Sequence, residues 1–215
     1  MTHIGIFDTG FGGQYAAHEL AALRPDDTFT VVDDKAHLPY GLRTEREIID
    51  LTDKAIQPLL SSCDVIVIAC NTATTIAINR LRKMHPDMPF VGFEPMIKTA
   101  ARATQTGKIA ILATPATLRS SRYQQLKQQW AEGVRVAEPD CSTWAGAIEA
   151  QTFDKATAVT LAKQLADGDV DVISLACTHY LYLQAAMQKA VGAKARILSP
   201  LTAVNSQINR VLKAA

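Results

Sequence analysis

At 215 residues the chain is long enough for one large α/β domain, or two small ones, with a buried core. Its 48% hydrophobic and 20% charged content is that of an ordinary soluble globular protein, and no apolar run approaches the roughly 18 residues of a membrane span. The net charge of +1, from 22 Lys+Arg and 21 Asp+Glu without a basic run, gives no electrostatic footprint for nucleic acid or an anionic membrane.

The opening MTHIGIFDTGFGG lacks a positively charged leader region and meets Asp8 after a few apolar residues. It does not read as a signal peptide, and the expected compartment is the cytoplasm. IGIF (4–7) is the first expected buried strand, followed by a helix over GQYAAHELAAL and a second strand, FTVVD (29–33). A helix over TEREIIDLTDKAIQPLL leads to VIVIA (65–69), and TATTIAINRLRKM leads to PFVGF (89–93). KIAIL (108–112), helix SSRYQQLKQQWAE, VRVAE (134–138), helix FDKATAVTLAKQLAD, VISLA (172–176), helix LQAAMQKAV and ARILS (195–199) complete the series. Eight apolar strands alternating with helices predict parallel sheets covered on both faces.

The two halves resemble one another. IGIFDTG (4–10) aligns with IAILATP (109–115), and VIVIACNTA (65–73) with VISLACTHY (172–180), at offsets of 105 and 107 residues. The pattern predicts two similar α/β domains related by a pseudo-twofold axis. The expected bounds are 1–98 with a returning C-terminal helix at 206–215, and 99–205. Ligands of open parallel sheets bind beyond the carboxyl ends of the strands. All four repeated loops lie at such ends, so the active site is expected in a cleft between the halves.

Taken singly, Cys70 is a small hydrophobe at the end of a buried strand. Its counterpart Cys177 also ends an apolar strand, whereas Cys63 and Cys141 have no such pairing. Four cysteines without a C-x-x-C pair suggest neither a disulfide scaffold nor a metal site. Two symmetric Brønsted groups suit removal of a proton from one face of a carbon and its return on the other. That is two-base racemisation or epimerisation. A thiol with an ordinary pKa near 8.5 is only a few per cent thiolate at neutral pH, so neighbours must tune it or relay protons. Asp8 is the expected helper of Cys70, and His179 that of Cys177. Thr9, Asn71, Thr72, Thr114, Thr117 and Thr178 are candidates for holding a carboxylate or an ammonium group. Each alone also reads as a turn former or helix cap.

Rival motifs fit less well. D-T-G belongs to all-β folds in the aspartic proteases, but here it follows a strand of a βα unit and has no second copy. GFGG (10–13) lacks both the third glycine of a dinucleotide fingerprint and the Lys of a phosphate loop. Cys177 with His179 resembles a hydrolase nucleophile and base, but a hydrolase has no need of Cys70.

Nearly end to end, the chain resembles the glutamate racemases of the aspartate/glutamate racemase superfamily. The resemblance rests on IGIFDTGFGG, DKAHLPYG (34–41), ACNTAT, GFEP (92–95), ATPATLRS (113–120) and ACTHY in that order. It implies a cofactor-independent enzyme interconverting L- and D-glutamate, supplying D-glutamate for peptidoglycan, and often dimeric. It further implies that Cys70 deprotonates the D-isomer and Cys177 the L-isomer, with Asp8, His179 and Glu149 in support. Pro39, Tyr40 and Gly41 fall on substrate-binding positions, as do Thr9, Thr72, Thr117 and Thr178. The chain departs from the family pattern at Thr9 (usually Ser), Leu42 (usually small and polar), Ala116 (usually Gly), and Ser142 and Leu181 (usually Pro). Thr9 and Leu42 keep open a racemase for aspartate or another acidic amino acid. A non-catalytic amino-acid-binding protein of the same fold is the remaining alternative.

Overall fold

In the computed structural model, which describes residues 1–214, the chain forms two compact α/β units. The first is Met1–Glu94 with the final helix from Leu201, and the second is Pro95–Pro200. Ala215, assigned from the sequence to the first half, lies outside the described residues.

In the first unit β1 (His3–Asp8), β2 (Thr28–Asp33), β3 (Val65–Ile68) and β4 (Phe90–Gly92) form one parallel sheet in the order β2-β1-β3-β4. β3 is all Ile and Val, and β1 carries Ile4, Ile6 and Phe7, because helices cover both faces of these central strands, whose interiors are buried. The connecting helices are α1 (Gly12–Leu23), α2 (Glu45–Leu60) and α3 (Asn71–Met84). A capping box starts α2: Glu47 N–H donates to Thr44 Oγ1, and Thr44 N–H donates to Glu47 Oε2. The returning helix α10 (Leu201–Ala214) packs on α1 and β4. Arg24 Nη1 secures it by donating to Asn205 Oδ1 at 2.9 Å and Asn209 Oδ1 at 2.6 Å.

The second unit repeats the plan. β5 (Lys108–Ala113), β6 (Arg135–Ala137), β7 (Val172–Ala176) and β8 (Arg196–Leu198) lie parallel in the order β6-β5-β7-β8. Its helices are α4 (Ile97–Ala103), α5 (Pro115–Arg119), α6 (Ser121–Trp130), α7 (Trp144–Glu149), α8 (Lys155–Asp167) and α9 (Gln184–Val191). The sequence repeat reappears as register: Ile4 pairs with Val65 across β1 and β3, and Ile109 pairs with Val172 across β5 and β7.

The chain leaves the first unit at Glu94–Pro95 and re-enters it at Pro200–Leu201, a few residues ahead of the sequence-derived 98/99 and 205/206. The reason is local. Helix α4 packs on α6, β5 and β7. The polar stretch after it is held by Asp171, whose Oδ2 accepts the N–H groups of Gln105 and Thr106. Among the described residues no helix is long and apolar enough to cross a membrane.

Candidate active site

The parallel register places the candidate residues side by side within each unit. In the first, Phe7 pairs with Ile68, so Asp8 and Thr9 leave β1 next to Ala69 and Cys70 leaving β3. Asp8 is fully buried, and its Oδ2 accepts the Gly10 N–H at 3.3 Å. Cys70 is the N-cap of α3. Its Sγ accepts from Ala73 N–H at 3.5 Å and from the Thr9 hydroxyl at 3.6 Å. A helix N-terminus favours a thiolate, as do these donors and the Thr72 N–H. They are outweighed: burial, and then the Asp8 charge, push the Cys70 thiol up to about 12. Without a ligand Cys70 is therefore a thiol at neutral pH.

Asn71 Nδ2 donates to the Phe93 carbonyl at 2.9 Å, while its Oδ1 is buried with no partner. Thr72 is buried in the first turn of α3. Pro39, Tyr40 and Gly41 enter a 3-10 turn, Tyr40–Leu42, and the Tyr40 ring packs with Phe7 and Cys70 in one apolar cluster. Leu42 is 86% exposed, so its side chain does not narrow the surroundings of Cys70. Thr9, by contrast, is buried with its hydroxyl on Sγ.

In the second unit Ala113 pairs with Ala176, which places Thr114 beside Cys177. Cys177 precedes a 3-10 turn, Thr178–Leu183, that carries His179. His179 Nδ1 lies 3.7 Å from Cys177 Sγ, and its Nε2 lies 2.7 Å from Glu149 Oε2. A carboxylate only accepts, so Nε2 carries the proton, and in the neutral ring Nδ1 faces the thiol as an acceptor. Glu149 ends α7, which is seated by Trp144 against Tyr180 (5.4 Å) and Phe153 (5.0 Å). The Tyr180 hydroxyl adds a bond to the Cys141 carbonyl at 3.0 Å. Thr114 caps α5 by accepting Thr117 N–H, and the two hydroxyls lie 3.1 Å apart. Thr117 and Thr178 are buried.

The repeat is thus chemically asymmetric. Aligning the halves puts Ala113 opposite Asp8 and Thr114 opposite Thr9. The second unit has no acid at the end of its first strand and supplies a His–Glu pair from elsewhere. Two contributors went unnoticed in the sequence. Gly13 of GFGG allows α1 to approach Asp8, because a Cβ there would sit 2.7 Å from Asp8 Cβ. Asp34, the first residue of DKAHLPYG, accepts the Tyr40 hydroxyl. All four cysteines are buried and unbridged. Among the described residues no group of three or more His, Cys, Asp or Glu is arranged to hold a metal ion.

Comparison with known proteins gives the family. The family described as Asp/Glu/Hydantoin racemase matches residues 16–207. A glutamate racemase of Herpetosiphon aurantiacus is 37% identical, covering 99% of this chain and 85% of its own. One of Pseudomonas aeruginosa is 34% identical, covering 98% and 82%. The crystal structure of Escherichia coli glutamate racemase in complex with L-glutamate and the activator UDP-MurNAc-ala is 26% identical. It superposes with a TM-score of 0.85 over 99% of this chain and 82% of its own.

Proposed function

This chain belongs to the Asp/Glu/Hydantoin racemase family, and we propose that it interconverts L- and D-glutamate by two-base thiol chemistry. The observation that carries this reading is the pair of strand-end thiols, each with its own acid–base partner. Cys70 has Asp8 and Thr9, while Cys177 has His179 and Glu149. A pure binding protein needs neither thiol.

The chemistry requires both sulfurs to address one α-carbon from opposite faces. From D-glutamate, the Cys70 thiolate takes the α-proton and the Cys177 S–H returns a proton on the other face. The negative charge passes from Cys70 to Cys177. In the reverse direction Cys177 is the base, and His179 Nδ1 receives its proton to form the thiolate while Glu149 holds the imidazolium. Cys70 reaches its thiolate by passing its proton to the Asp8 carboxylate, with the Ala73 and Thr72 N–H groups and the Thr9 hydroxyl as donors to the sulfur and the cationic ammonium of the substrate beside it. That ammonium also supplies the donor Asn71 Oδ1 lacks, removing the cost of a buried unpaired acceptor. Pro39, Tyr40, Gly41, Thr72, Thr114, Thr117 and Thr178 complete the binding surface for the two carboxylates.

The product supplies D-glutamate for peptidoglycan in the cytoplasm, from an enzyme that works without nucleic acid and assembles as a homodimer. The test is α-carbon proton exchange with solvent deuterium for both glutamate isomers, with Cys70→Ala and Cys177→Ala beside the wild type. Exchange by the wild type and loss of racemisation in each variant are expected. A wild type that exchanges neither glutamate nor aspartate refutes the reading. Buried Thr9, with a methyl group next to Cys70, favours aspartate as the second reading, and faster exchange of aspartate than glutamate would select it.

A further inference from the structure

Asp34 opens the DKAHLPYG motif, and the proposed chemistry gives it no task. It follows β2 directly, and its backbone N–H donates to the Asp8 carbonyl at 3.3 Å. Its carboxylate takes two donors, His37 Nδ1 at Oδ1 (2.6 Å) and the Tyr40 hydroxyl at Oδ2 (2.7 Å). The loop closes on itself. Arg43 Nε donates to the His37 carbonyl at 2.7 Å, and the N–H groups of Leu42 and Arg43 return to the Pro39 and Tyr40 carbonyls. The Tyr40 ring is the deep anchor, 2% exposed, tilted against Phe7 at 6.4 Å and clustered with Cys70 and Ala73. Burial and then the Asp34 carboxylate hold the phenol well above its ordinary ionisation range, so Tyr40 stays a neutral donor and takes no part in proton transfer.

We propose that Asp34 is a positioning residue for the substrate: by gripping the Tyr40 hydroxyl it fixes Pro39–Gly41 beside the Cys70 thiol. The proposal rests on the reading that these three residues bind glutamate. An acceptor that orders the binding loop in every bound state contributes equally to ground and transition states, so its loss raises KM and spares kcat. A carboxylate that merely stabilises the unit would change neither constant in the folded fraction.

The experiment is a cycle of Asp34→Ala, Tyr40→Phe and the double variant, with Asp34→Asn as the variant closest in shape. Steady-state constants for both glutamate isomers are read alongside hydrogen exchange of the Leu42 and Arg43 amides. Asp34→Ala is expected to raise KM roughly tenfold for both isomers, with kcat within about twofold of the wild type. The double variant is expected to be no worse than either single one, and the two amides to exchange faster. Unchanged KM, additive effects, or a fall in kcat at constant KM would each overturn the proposal. If Asp34→Ala does not fold, Tyr40→Phe removes the same bond with the loop's shape kept, and Asp34→Asn, with a single oxygen for the two donors His37 Nδ1–H and Tyr40 O–H, takes its place in the cycle. A wild type inactive on glutamate would refute the substrate reading instead. Unchanged protection of Leu42 and Arg43 in the Asp34 variant would still refute the positioning role.

Discussion

His179 Nε2 lies 2.7 Å from Glu149 Oε2, a contact between residues 30 apart in sequence that orients a buried imidazole with Nδ1 toward Cys177. The carboxylate fixes the proton on Nε2, which leaves Nδ1 facing Cys177 as an acceptor. Glu149→Gln offers an amide that satisfies either tautomer and no longer balances an imidazolium. It is expected to lower kcat by roughly 10- to 100-fold, with KM little changed. Initial-rate assays in both directions check this, and an unchanged kcat would remove Glu149 from the machinery.

Thr9 acts on Cys70 through its hydroxyl, 3.6 Å from Sγ. Thr9→Val keeps the shape and removes the donor. A hydrogen bond to a charged group contributes about 1.5–3 kcal/mol, so kcat/KM is expected to fall roughly 10- to 100-fold. Thr9→Ser keeps the donor and is expected to stay close to the wild-type rate.

Much of the architecture was legible in the sequence. The central strands β1, β3, β5 and β7 are short, buried apolar runs of the kind a covered parallel sheet needs, and the two offset matches became matched strand pairs. Three helices were not anticipated. At five to seven residues, α4, α5 and α7 are too short to show a hydrophobic period and are held by tertiary packing. Helix α10 was expected from 206 and begins at Leu201, directly after Pro200. The partners of the thiols were only partly readable. Asp8 and His179 lie inside the repeated segments, but the Asp34–Tyr40 bond and the Gly13–Asp8 approach arise from chain packing that no local pattern encodes.

That close approach gives a third expectation. A Cβ on Gly13 would sit 2.7 Å from Asp8 Cβ, so Gly13→Ala must displace either α1 or Asp8. Overpacking of this kind costs about 1–3 kcal/mol. A lowered Tm is expected together with a lowered kcat, measured by thermal unfolding and initial rates. Gly146→Ala in α7, where the added methyl meets open space, should leave kcat unchanged and raise Tm slightly.

Burial sets a pH dependence of stability. The Cys70 and Cys141 thiols are pushed up to about 12, whereas an unfolded thiol ionises near 8.5. Their stabilisation is fully present below the unfolded value. As pH rises from there towards about 12, the unfolded chain releases protons that the folded chain keeps, and stability falls by up to ~1.4 kcal/mol per pH unit for each thiol. Cys141→Ala removes one of these contributions. Its urea midpoint should therefore decline less steeply than that of the wild type between about pH 9 and 11.

In the proposed mechanism two different sulfurs serve the two faces of one α-carbon. Its most direct test is racemisation of protonated D-glutamate in deuterium oxide, sampled at low conversion by NMR and mass spectrometry. With two thiols at work, the L-glutamate formed carries deuterium at the α-carbon while the recovered D-glutamate keeps its proton, with the mirror result from L-glutamate. Equal labelling of substrate and product from the start, or product that retains the original proton, would show a single base at work and contradict the account.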